Sequence, residues 1–116
     1  MGLGVGGPQL AQALGMDIAS AKTATGSAST DAYALTTTVT EFTTTASGTG
    51  ARLPDATPGL VVLVANFGAE TLKLYPGASD KINNGTATTG SVDVLTGKSA
   101  LCFCIDTVDW LVFAAA

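Results

Sequence analysis

Two cysteines are the most reactive side chains of this chain, and they stand two residues apart in "CFC", as Cys102 and Cys104. On a strand that spacing puts both thiols on one face. A metal reading needs further ligands of suitable geometry, and the chain has no histidine and no other cysteine. A disulfide between neighbours on one strand is strained. The two residues therefore read as small buried apolar groups without a function, and no metal or cofactor is expected. Free cysteines without a secretory leader fit synthesis in a reducing compartment.

The nine acidic residues are the other candidates for chemistry. Asp55, Glu70, Asp80, Asp106 and Asp109 all fall in stretches that read as turns, where carboxylates cap backbone N–H groups. The segments "SDKINNG" and "DTVD" lack the alternating ligand spacing of a Ca²⁺ loop. "GLGVGG" near the start has no strand before it, as a dinucleotide fingerprint requires. No nucleophile signature of the G-x-S-x-G type is present, and without histidine the commonest general base is missing. The chain is not expected to be an enzyme. "NGT" at 84–86 matches a glycosylation acceptor, but nothing marks the chain as secreted.

Charge removes further classes. Only 12% of the 116 residues are charged and the formal net charge is -4, with basic residues spread singly at Lys22, Arg52, Lys73, Lys81 and Lys98. Nucleic-acid binding needs clustered basic charge to displace counterions, so no nucleic-acid partner is expected. The same scarcity argues against anionic membranes. The N-terminus MGLGVGGPQL carries neither a positive leader nor a long apolar stretch, and the longest apolar run, 60–65, is too short to span a bilayer. The expectation is a soluble protein or part of a soluble assembly.

The elements that must position these groups are strands. Residues 1–30, rich in Gly, Ala, Ser and Thr, read as an N-terminal arm ordered only against a partner. Within it "PQLAQALGMDIA" can form a short helix that starts at Pro8 and places Leu10 and Leu14, with Ile18 beyond, on one face. These three residues are the candidate positions by which the arm binds its partner. Residues 31–116 read as a β domain. Thr-rich 36–45 is a strand by β-propensity, and 51–53 is a short one. Then come 60–65, a turn at 66–70, an alternating strand at 71–75, a polar loop with a short strand near Ile82, and strands at 91–95, 100–105 and 110–113. Short strands with turns about every ten residues predict an all-β fold, a small antiparallel β-sandwich or barrel with an extended N-terminal arm.

Three of these strands are apolar on both faces: 60–65, 100–105 and 110–113. A sheet in a two-layer domain buries one face and shows polar residues on the other. In a domain of this size the second apolar face must be covered by the arm or by another subunit. Leu60, Val62, Leu101, Phe103 and Trp110 are the candidate positions for that oligomer interface.

At "LPDATPG", "ANFGAE", "LKLYP", "SDKINNG", "LTGK" and the late Trp110, the chain resembles a module of small structural proteins from tailed bacteriophages. The upstream "LTTTVTEFTT" and "GTGARLP" extend the resemblance to about residues 31–113, with Asn84 doubling the Asn before Gly85. The arm lies outside it. The resemblance implies a virion protein, a capsid decoration or cement protein on the outer shell, most often a homotrimer at capsomer junctions, with the major capsid protein as partner. The alternative is a head- or tail-fibre domain that binds a host receptor or glycan. For that reading the chain offers one Trp and two Tyr, Tyr33 and Tyr75.

Overall fold

The turns that punctuate this chain are mostly corners between two sheets. A computed structural model describes residues 16–115, which contain ten strands and no helix. They are β1 (Ile18–Thr23), β2 (Tyr33–Ala34), β3 (Val39–Thr44), β4 (Gly50–Arg52), β5 (Val61–Asn66), β6 (Leu72–Tyr75), β7 (Lys81–Ile82), β8 (Val92–Val94), β9 (Lys98–Cys104) and β10 (Asp109–Ala114). One sheet has the order β1-β3-β5-β9-β10-β7 and the other β2-β4-β6-β8. Through β9 the chain changes sheet at every connection, and only β9 and β10 follow each other within one sheet.

This alternation overturns the expected antiparallel pairing. A chain that leaves a sheet, crosses the other and returns lays its next strand in the same direction. Pairs β1/β3, β3/β5, β2/β4, β4/β6 and β7/β10 are parallel, while β5/β9, β9/β10 and β6/β8 are antiparallel. Both sheets are thus mixed. Register shows the length of one winding: Val39 pairs with Leu63 and Ala51 with Leu74, separations of 63 − 39 = 24 and 74 − 51 = 23 residues.

The corners have their own chemistry. Fully buried Asn66 ends β5. Its Oδ1 accepts the Thr45 hydroxyl and the Gly68 N–H, and its Nδ2 donates to the Glu70 and Val94 carbonyls. Three successive corners are joined through one amide. Gly68 sits so close to the corner above that a Cβ would lie 2.3–2.5 Å from Thr45 atoms.

The core lies between the sheets. Phe42, Val62, Val64, Cys102 and Trp110 from the six-stranded sheet face Ala51, Leu72, Leu74 and Val94 from the other. Each large side chain buried there contributes about 1.5–3 kcal/mol. Tyr33 meets Phe42 edge-on at 5.3 Å.

The described part of the N-terminal arm, residues 16–30, belongs to this domain. Ile18 opens a strand and does not close a helix. β1 is short of apolar residues, so its place comes from backbone pairing with β3 and from Asp17. Asp17 Oδ1 accepts both the N–H and the hydroxyl of Thr38, and its carbonyl accepts the Val39 N–H. The pairing slips between Ala19 and Lys22, where Ala21 has φ 56°. Such a bulge on an edge strand discourages pairing with another chain. Residues 1–15, and with them Leu10, Leu14 and most of the expected helix, lie outside the described residues.

Candidate functional site

The chemistry-bearing residues are used by the fold. Cys102 and Cys104 are free and buried on the core side of β9. Burial pushes the Cys102 thiol up to about 12. Burial also raises Cys104, with smaller contributions from the Asp80 and Asp106 charges. The acidic side chains hold backbone. Asp80 Oδ2 accepts the Ala56 N–H at 2.8 Å, Asp106 Oδ1 accepts the N–H groups of Val108 and Asp109, and Asp109 Oδ1 accepts that of Asn84. Asp31 Oδ1 accepts the N–H groups of Ser27 and Ala28, both at 2.9 Å, which holds its carboxyl below the usual value. Asp17 is lowered in the same way by Thr38. Among the described residues no group of three or more His, Cys, Asp or Glu could hold a metal ion.

In the polar loop, Asn83 and Asn84 adopt left-handed backbone with φ 52° and 57°. The Asn83 side chain then continues β7 as a mock strand: Nδ2 donates to the Val112 carbonyl and Oδ1 accepts the Val112 N–H.

Two shallow clefts open where β3 and β5 begin. One, of about 440 Å³, is bounded by Leu35, Pro54, Leu60 and a run of threonines beside Asp17. The other, of about 320 Å³, lies between Met16, Thr38, Gly59, Leu60 and Val61. Asp17 is the one titratable group in their walls, and its Oδ1 is already occupied by Thr38.

The outer faces of the two sheets differ in character. The outer face of the four-stranded sheet is polar: Lys73 and Asp93 form an ion pair at 2.7 Å, and Arg52 donates to the Ser29 carbonyl. Tyr75 stands beside Arg52 in register. The outer face of the six-stranded sheet is apolar. Register places Ile18, Val39, Leu63, Leu101 and Phe113 in one row across five adjacent strands. A second row holds Val61, Phe103 and Leu111. Phe103 and Phe113 meet edge-to-face across the rows at 6.2 Å. Ile18 is 69% exposed and Phe113 61%. No charged residue lies in either row. Glu41 stands beyond them on β3, and Asp109 on β10 beside Lys81 on β7.

The sequence-derived interface positions divide accordingly. Leu101 and Phe103 are on the outer face, and Leu60 is exposed beside it at the cleft. Val62 and Trp110 are 3% and 0% exposed and belong to the core. Alternation splits each apolar strand into two sets, and in β5 and β10 the inward set includes these two residues. Sequence reading did not assign Val39, Val61, Leu63, Leu111 and Phe113 to this face, and it placed Ile18 on the arm's helix instead. Their signal is the register, which a single strand's pattern does not carry. No family model, curated protein or solved structure matches the chain.

Proposed function

We propose that the protein is a structural component of a tailed-bacteriophage virion: a capsid decoration or cement protein that stabilises the head by bridging subunits of the major capsid protein. In this reading the two sheets are the layers of a small β-sandwich, and the role is mechanical, not catalytic. The protein acts as an oligomer, a homotrimer in the arrangement the resemblance implies. Residues 1–15, with Leu10 and Leu14, reach onto the shell. Made in the host cytoplasm, the protein ends on the capsid surface.

The observation that carries this reading is the contrast between the two outer faces. One is ordinary polar surface and the other carries two uncharged apolar rows, which a domain of this size keeps only where assembly covers them. The motif resemblance over residues 31–113 supports the choice of assembly. Cement works by many weak contacts across subunit seams, and such contacts sum through multivalency.

Co-sedimentation with undecorated heads of the phage that carries the gene tests the reading. The full-length protein is expected to pellet with heads in saturable amounts, and a chain starting at Met16 to bind more weakly. Mass spectrometry of purified virions is expected to count hundreds of copies. A handful of copies per particle would replace this reading with the fibre alternative, and absence from both heads and virions would end it.

A further inference from the structure

We infer that the outer face of the six-stranded sheet is the self-association surface of this protein, and that its occupant is the same face of another copy of the chain. The inference rests on the self-association in the reading above, but neither on a virion nor on the trimer, since a face that meets itself makes a two-fold contact.

Three observations lead there. The first is area. The six exposed residues of the two rows, with Met16 and Ile105 at the margins, are each 37–69% exposed. At roughly 200 Å² for a large side chain, that leaves on the order of 800 Å² uncovered. One partner contributes about the same area to a standard-size interface. The second is charge. The chain carries a net charge of -4, so two copies repel wherever acidic surface meets acidic surface. The rows are uncharged, so they can meet their own copy without that penalty, whereas a partner chosen by electrostatic complementarity finds nothing in them to read. The third is shape. The rows run continuously over β1, β3, β5, β9 and β10, and sheets pack face to face at about 10 Å through interdigitating apolar side chains. Edge pairing through β1, one alternative self-contact, is discouraged by the bulge at Ala21.

The surface also corrects the residues that matter. Its centre is Leu101, Phe103, Leu111 and Phe113, contributed by the β9/β10 hairpin, with Val61 and Leu63 beside them on β5. Val62 and Trp110 support it from behind.

Light scattering on the full chain at micromolar concentration is expected to give a multiple of the monomer mass. Leu101→Lys and Phe113→Glu, each on the outer face, are expected to weaken association at least tenfold while keeping the β circular dichroism of the parent. Leu111→Cys supplies a readout that holds even if the charged variants fail to fold. The native cysteines are buried, so a bis-maleimide of roughly 10 Å reach, about the spacing of packed sheets, is expected to give a covalent dimer through position 111 alone. A monomeric full-length protein would overturn the inference, whether its face is bare or covered by its own residues 1–15. So would an oligomer that yields no dimer through position 111. None of these measurements uses a capsid, so the self-association surface and the decoration reading can fail separately.

Discussion

Thr45 and Asn66 lie 21 residues apart in the chain, and the Thr45 hydroxyl donates to Asn66 Oδ1 at 2.8 Å in the interior. The contact ties the corner after β3 to the corner after β5. The same amide donates to Val94 before the β8–β9 corner. Truncation leaves the Gly68 N–H and the Glu70 and Val94 carbonyls without this partner, and each buried orphan costs about 1–3 kcal/mol. Asn66→Ala is therefore expected to lose about 3–5 kcal/mol in urea denaturation. A loss under about 1 kcal/mol would show that the corners hold without it.

Gly68 and Gly48 make a paired test of space against backbone conformation. Gly48 has φ 81°, and a methyl group added there would meet no atom within 4 Å. Gly48→Ala therefore meets only the left-handed penalty of about 1–2 kcal/mol. Gly68→Ala drives a methyl into the Thr45 backbone nitrogen at 2.4 Å. It is expected to cost more than Gly48→Ala, by about 1 kcal/mol or more, through forced displacement of the corner. Equal melting temperatures for the two variants would contradict this packing.

The buried thiols predict an alkaline weakness. Cys102 ionises at about 12 in the folded chain against an ordinary 9.0. The neutral form is the one the fold accommodates, so this contribution is intact below pH 9. It declines from 9 towards 12, by up to about 1.4 kcal/mol per pH unit. Thiol reagents at about pH 8 are expected to label neither cysteine until denaturant is added. Cys102→Ala is expected to cost about 1–2 kcal/mol, from lost packing alone.

Acid acts on a different part of the chain. The Asp31 carboxylate organises the turn before β2 by accepting two backbone N–H groups, and its ionisation is shifted below the ordinary 3.8. A depressed acid stabilises the fold above its unfolded value and ceases to as pH falls through the folded one. The amides of Ser27 and Ala28 are expected to move together in an NMR titration below about pH 4, before global unfolding. Amides that stay fixed while the Asp31 carboxyl titrates would separate that charge from the turn.

Much of this fold could be read in the residues from Val39 onward. Alternation in "LKLY" and "SVDVL" located β6 and β8 with the correct inward side chains, and Gly and Asn marked the corners. Pairing direction could not be read, because "NFGAE" has the same local chemistry as a hairpin turn or as a corner between sheets. β1 was hidden for another reason: "IASAKT" has no apolar alternation, and its strand exists through tertiary pairing with β3. The two-faced strands revealed that apolar side chains stand on both faces of the sheet. They did not reveal that Val61 and Leu111 face out while Val62 and Trp110 face in, since adjacent apolar residues differ only in phase.

The winding of the chain between sheets bears on how the protein is born. The β9/β10 hairpin is the only sequential pair in either sheet. Most other strands meet partners some 20 or more residues away, and pairings of such high contact order form slowly. Leu101, Phe103, Leu111 and Phe113 can therefore come together early, whereas Ile18, Val39 and Leu63 join their row only when the windings close. The proposed self-association surface is therefore completed only when the windings close. A half-folded copy would present only a fragment of it, so self-association through this face would favour finished molecules without any separate checkpoint.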